Sequence, residues 1–168
     1  RRLASVTVVP AHMRILYLHQ FFKTREGSGG TRSYEFARHL VAAGHQVAMV
    51  TASSGPGPRE PHDVDGIRVV EVGGGHRDYV AATGMSYARR VRSFASFPAA
   101  ATRAALSERD PGVVFATSPP LTIALPGIAA ARRHGAPLVF EVRDLWPEAP
   151  IQMGALRQPA AHRGARLV

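Results

Sequence analysis

Short apolar runs alternate with longer stretches of helical periodicity along this chain. Arg14-Ile-Leu-Tyr-Leu-His19 reads as a first strand, and His45-Gln-Val-Ala-Met-Val-Thr51 as a second. Ile67-Arg-Val-Val-Glu-Val72, Val113-Val-Phe-Ala116 and Leu138–Val142 follow as three more. Runs of this length, rich in Val, Ile and Leu, fit strands buried on both faces of a parallel sheet. Between them, Phe36, Ala37, Leu40 and Val41 form an apolar stripe at helical spacing over about residues 32–43. Thr31 or Ser33 is placed to cap that helix, and Gly44 to end it. Residues 85–107 read as a helix with Pro98 as a kink or break, and Leu121–His134 as a small-residue helix stopped by Gly135 and Pro137. Residues 53–62 read as loop, rich in Ser, Gly and Pro.

Strands alternating with helices predict right-handed βαβ units. The fold class is α/β, a Rossmann-like, doubly wound, mostly parallel sheet with helices on both faces. Ligands in such sheets bind beyond the carboxyl ends of the strands. Three segments fall there: the glycine loop after the first strand, Thr117-Ser-Pro-Pro120 after the fourth, and Arg143–Glu148 after the fifth. Beyond Gly154 periodicity fades, and no internal repeat or linker marks a second domain within residues 13–168.

Composition narrows the classes. There is no cysteine, which excludes disulfides and thiolate metal sites. No apolar run approaches a membrane span, and Arg1–His12 lacks the apolar core of a signal peptide. Met13 directly precedes a clean strand, so residues 1–12 read as an upstream extension. The formal charge is +9, carried almost wholly by arginine because Lys23 is the sole lysine. That excess favours anionic partners, although arginine-rich codon usage produces the same balance.

The motifs exclude more than they establish. Gly27-Ser-Gly-Gly-Thr31 before a helix suits a phosphate, since glycine lets backbone amides approach an anion at a helix N-terminus; a plain surface loop has the same composition. The loop is not a dinucleotide fingerprint, because Arg32 stands where a glycine is needed, and no P-loop lysine follows. Asp63-Val-Asp65 leads into Gly66 and reads as a turn rather than a cation site. The eight histidines show no ligand spacing, so no metal and no cofactor are expected. His19 ends the first strand, where a packed core histidine and a ligand contact both fit. No nucleophile elbow is present. Between Tyr79 and Ser107 there are arginines but no acid, and Tyr87, Val91, Phe94 and Ala95 share one helical face. Arg89, Arg90 and Arg92 with Phe94 therefore make a candidate contact with an anionic membrane; an ordinary surface helix shows the same pattern.

Taken in order, Met13-Arg-Ile-Leu-Tyr-Leu-His-Gln20, Gly27-Ser-Gly-Gly-Thr-Arg32, Asp65-Gly-Ile-Arg-Val69, Phe115-Ala-Thr-Ser-Pro-Pro120 and Phe140-Glu-Val-Arg-Asp-Leu-Trp-Pro-Glu148 resemble the N-terminal domain of family 4 glycosyltransferases. The resemblance is closest to bacterial enzymes of lipopolysaccharide and other surface polysaccharides. It implies half of a GT-B fold and metal-free, retaining transfer of a sugar from a nucleotide diphosphate donor to a glycan or lipid-linked acceptor. It further implies that the amides of Gly29 and Gly30 approach the diphosphate; Thr117 and Ser118 are candidates for substrate hydroxyls, and Thr31 and His19 complete the candidate substrate contacts. Arg143 stands where many relatives carry a histidine. It is expected to bind phosphate, with Asp144 orienting it or holding a hydroxyl and Glu148 completing the catalytic set.

The family's donor-binding domain, with its Glu-x7-Glu pair, has no counterpart here, since Glu141 and Glu148 do not have that spacing. The chain is thus expected to be inactive alone and to sit in the cytoplasm, peripherally on the inner face of the plasma membrane. A non-catalytic Rossmann-like module docking on a membrane or a partner subunit is the competing class. A nucleic-acid binder would interleave aromatics with its arginines, and these are sparse.

Overall fold

The computed structural model describes residues 12–27, 29–53, 55, 57–74 and 87–143, with the side chains of 87–95 outside that description. Six strands form one sheet: β1 (Arg14–Leu18), β2 (Gln46–Ala52), β3 (His62–Val64), β4 (Ile67–Val72), β5 (Val113–Thr117) and β6 (Leu138–Glu141). Their order is β3-β4-β2-β1-β5-β6. All neighbours run parallel except β3, which pairs antiparallel with β4. Helices α1 (Arg32–Ala42), α2 (Tyr87–Ser107) and α3 (Ala124–His134) make the crossovers.

Strand alternation sorts the core into two layers. Ile15 and Tyr17 of β1 pack with Val47, Met49, Tyr34 and Ala37, on the side of α1. Leu16 and Leu18 face the other way and pack with Val50, Val114, Phe97, Ala101 and Ala130, on the side of α2 and α3. One strand buried on both faces is what a continuous apolar run encodes. Gly127 lets α3 settle on the sheet, because a Cβ there would come 3.2 Å from Ala116 Cβ and 3.2 Å from a Leu138 methyl.

Three expectations need correction. Residues 62–64 are strand rather than loop or turn: Asp65 (φ 52°) and Gly66 (φ 80°) form the tight reversal of a β3–β4 hairpin, and Asp63 Oδ1 accepts the Gly66 N–H at 3.0 Å. Asp65 meanwhile accepts the hydroxyl of the buried Tyr34, tying the hairpin to α1. Neither Thr31 nor Ser33 caps α1 through its side chain; Thr31 is the cap residue but makes no such bond, and the Ser33 hydroxyl is engaged elsewhere. Pro98 does not break α2, which runs continuously through it. Gly44 does take the left-handed turn after α1, at φ 90°.

Phe97 anchors α2 on the sheet and is fully buried. Phe97→Ala is expected to cost about 3–5 kcal/mol of unfolding free energy through lost burial and the cavity left behind, measured by urea denaturation.

Candidate functional site

The strand order places the ends of β1, β5 and β6 side by side, so the loops that follow them share one edge. The glycine loop leads there into α1. Gly29 adopts φ 127°, a backbone region that side-chain-bearing residues rarely enter. Gly30 differs: a Cβ on it would meet nothing within 4 Å. The backbone beside the start of α1 is thus open to an approaching group, at the helix end that favours negative charge.

His19 lies directly beneath. It is only 2% exposed, and its backbone N–H donates to Val50 O at 3.1 Å, carrying the β1 ladder one residue further. Its Nδ1 lies 2.8 Å from Ser33 Oγ in the first turn of α1. The Ser33 hydroxyl therefore serves His19 instead of capping the helix. Nε2 is buried with no partner among the described residues. An unmet buried polar atom costs about 1–3 kcal/mol, so this nitrogen is suited to a ligand atom. Burial, aided by the Arg143 guanidinium, lowers the His19 pKa to about 3. The imidazole is neutral near pH 7 and offers either a donor or an acceptor at Nε2, whichever role Ser33 leaves it.

At the ends of β5 and β6 the polar groups form a chain. Thr117 Oγ1 lies 3.3 Å from the Tyr17 hydroxyl and 3.0 Å from Glu141 Oε2. A carboxylate only accepts, so the threonine O–H serves Glu141 and the Tyr17 hydroxyl is left to donate to Thr117. The other Glu141 oxygen pairs with Arg32 at the start of α1. Burial raises the Tyr17 pKa, so the phenol stays protonated. The Tyr17 ring is fixed edge-on against Phe36 and Phe115. One residue along, Ser118 N–H donates to Glu141 O at 3.0 Å, and Ser118 Oγ accepts the Arg143 N–H at 2.9 Å. Ser118 thus fixes the backbone from which the exposed Arg143 side chain projects.

Of the residues expected from sequence, His19, Gly29, Gly30, Thr31, Thr117, Ser118 and Arg143 gather at this edge. Thr117 and Ser118 spend their hydroxyls within the protein, so their observed work is to order the edge. Asp144 and Glu148 lie outside the described residues. Arg89, Arg90, Arg92 and Phe94 fall within α2, but their side chains are likewise outside. Sequence reasoning missed Arg32, Glu141, Ser33 and Tyr17. Arg32 and Glu141 lie 109 positions apart, and only the strand order joins them. Among the described residues no three potential metal ligands come together.

A groove of about 690 Å³ lies at the opposite edge, lined among others by Arg14, His45, Arg68, Glu108 and Arg109. It adjoins the C-terminal end of α2, where backbone carbonyls favour cations, and Arg68 pairs with Glu108 at 2.6 Å. Arg68 thus has a structural partner in place.

A family model described as the glycosyl transferase 4-like domain matches residues 27–168, most of the chain. The chain belongs to this family. No curated protein matches it significantly. Among solved structures, the C-terminal domain of a hydrogenase from Pyrococcus furiosus is similar at TM-score 0.50 and 15% identity, covering 80% of this chain and 97% of that one. A second structure of that domain gives TM-score 0.47 at 14% identity, with 80% and 96% covered. The first likeness speaks for the α/β fold alone and carries no activity across.

For this glycosyl transferase 4-like domain, sugar transfer is the family's activity and a sugar donor and acceptor are its substrates. The six-stranded sheet agrees with a Rossmann-like half of a GT-B fold. The family match begins at Gly27 and takes in the glycine loop, Thr117-Ser118 and Arg143, whereas His19 precedes it.

The depressed His19 pKa has a consequence for stability. Between the unfolded value near 6.5 and the folded value of about 3, the unfolded chain holds a proton that the folded one does not. Stability is therefore expected to fall as pH drops through that window, at up to about 1.4 kcal/mol per pH unit from this group. Urea denaturation at pH 7, 5.5 and 4 is expected to show a shallower loss for His19→Gln than for the wild type.

Proposed function

We propose that this domain forms the acceptor-side wall of a retaining, metal-free glycosyltransferase. The enzyme moves a sugar from a nucleotide diphosphate donor to a lipid-linked glycan of the cell envelope, in surface polysaccharide synthesis. The observation that carries the reading is the convergence, at the carboxyl edge, of an open glycine backbone at a helix N-terminus, a buried neutral His19 with an unmet Nε2, and the exposed Arg143.

Those groups suit the departing diphosphate. As the bond between the anomeric carbon and the diphosphate oxygen breaks, negative charge develops on that oxygen. Amides of Gly30 and Thr31 and the Arg143 guanidinium are preorganised donors for it. A neutral His19 can hydrogen-bond a sugar hydroxyl without repelling the cationic character that grows at the anomeric carbon. Asp144 is assigned to orient Arg143 or hold a hydroxyl, and Glu148 to complete the set. The remaining wall, which holds most of the nucleotide, belongs to a second domain facing this edge. The α2 segment with Arg89, Arg90, Arg92 and Phe94 is assigned to bring the acceptor side to an anionic membrane on the cytoplasmic side.

The enzyme carrying this domain, given a panel of nucleotide diphosphate sugars and lipid-linked glycan acceptors, is expected to release nucleoside diphosphate. Arg143→Ala is expected to lower kcat/KM by about 100-fold, the scale of one lost donor to a developing oxyanion. An unchanged kcat/KM would remove Arg143 from the site, and no release with any donor would favour a non-catalytic binding module.

The membrane contact is tested by co-sedimentation with anionic liposomes. Arg89→Glu/Arg92→Glu is expected to lose most of the bound fraction at physiological salt, whereas equal binding in both proteins would sink the contact.

A further inference from the structure

Arg32 occupies a position that its own helix disfavours. It is the first residue of α1, where the helix N-terminus already carries positive partial charge. The acid in that first turn, Glu35, does not offset it, because Glu35 is paired with Arg25 at 2.6 Å and with Arg38 at 3.3 Å. Arg32 is balanced from elsewhere, by Glu141 at the end of β6.

The pair is unequally bound. The Arg32 side chain is 64% exposed and reaches Glu141 through one nitrogen, whereas Glu141 is 20% exposed and also receives the Thr117 hydroxyl on its other oxygen. Losing Arg32 would leave Glu141 with Thr117 and water. Losing Glu141 would leave Arg32, at the helix start just after Gly30, without a carboxylate partner among the described residues. Arg32 and Arg143 both act on the Tyr17 hydroxyl, with Glu141 the one carboxylate that does so among the described residues.

We propose that Arg32 is a further diphosphate-binding residue and that the Glu141 carboxylate is its latch, occupying the guanidinium until the substrate's phosphate displaces it. The inference rests on the diphosphate reading above and deepens it. The arriving anion takes over the compensation that Glu141 supplies. It does so with more acceptor oxygens, which the fork of an arginine can engage bidentately. No bond other than hydrogen bonds is made or broken. Glu141 keeps Thr117 throughout, so the β5–β6 edge holds its shape while Arg32 moves.

The latch predicts opposite signs for its two members, which a merely structural brace does not. Inorganic pyrophosphate is titrated into the chain by calorimetry, with far-UV circular dichroism to verify folding. Arg32→Gln is expected to weaken binding by about tenfold, the scale of a lost charge-assisted contact. Glu141→Gln keeps the Thr117 contact in shape, removes the competitor, and is expected to tighten binding by a few-fold. A folded Glu141→Gln that binds more weakly than the wild type would make Glu141 a brace and overturn the latch. Unchanged affinity in Arg32→Gln, with loss in Arg143→Gln, would overturn the role of Arg32 while leaving the diphosphate reading intact. If neither the wild type nor Glu141→Gln binds pyrophosphate, the diphosphate reading fails and the latch with it. If folded Glu141→Gln does not bind and the wild type does, the latch alone fails.

Discussion

The edge that gathers the candidate site depends on three parallel strands ending in register and on one carboxylate that links them. Ile15 pairs with Val113 and Val114 with Leu138, so β1, β5 and β6 stop together. Parallel strands end in unpaired amides and carbonyls, and their loops diverge unless something ties them. Glu141 does this at three points. Its carbonyl receives the Ser118 N–H, one side-chain oxygen receives Thr117, and the other reaches Arg32 at the start of α1. The glycine loop, the Thr117-Ser118 turn and the base of Arg143 thereby become one surface. A charge-assisted hydrogen bond of this sort contributes about 1.5–3 kcal/mol where it is shielded from water. The gain here is geometric precision more than stability, since the arginine half of the junction is largely in solvent.

Beneath that surface the polar groups are kept uncharged. Burial disfavours the imidazolium form of His19 and the phenolate form of Tyr17. Among the described residues the candidate site is therefore layered: neutral hydrogen-bonding groups in the floor, and two arginines with the Glu141 carboxylate at the rim. A floor of neutral groups suits hydroxyls without setting a fixed charge against them. A cationic rim suits a phosphate. The same division explains why Ser33 leaves the capping role: its hydroxyl gives the buried imidazole a partner at Nδ1, and the helix start stays open for an anion.

Periodicity made the large features legible. Leu16 and Leu18 against Ile15 and Tyr17 is a run with no polar face, and it does sit between two helical layers. Gly44 and Gly135 both end helices in left-handed turns, as glycines in those places should. What escaped was short or non-local. The His62–Val64 strand is three residues long, follows a proline-rich stretch, and exists only because the Asp65-Gly66 turn folds it onto β4. Pro98 looked like a kink or break; an α2 buried at Phe97, Ala101 and Ala105 has enough packing to run through it without a break. The candidate site divided along the same line. Glycine and strand-end residues were visible as single positions, while the Arg32–Glu141 pair had no local pattern, because helix and strand meet only through the order β1-β5-β6.

The charge of the chain takes on a different meaning once it is placed in space. An excess of nine positive charges spread evenly would say little beyond solubility. In the structure several arginines are already spent: Arg25 and Arg38 on Glu35, Arg68 on Glu108, Arg59 within 3.8 Å of the buried Glu71. Arg38–Glu35 lies within α1, whereas the other pairs join separate stretches of chain. At the carboxyl edge Arg32 is paired with Glu141, while Arg143 has no ion-pair partner among the described residues. A cation left in that state beside an open helix N-terminus suits an anionic group. The sequence motif alone did not require this, since a glycine loop without that cation would be only a loop.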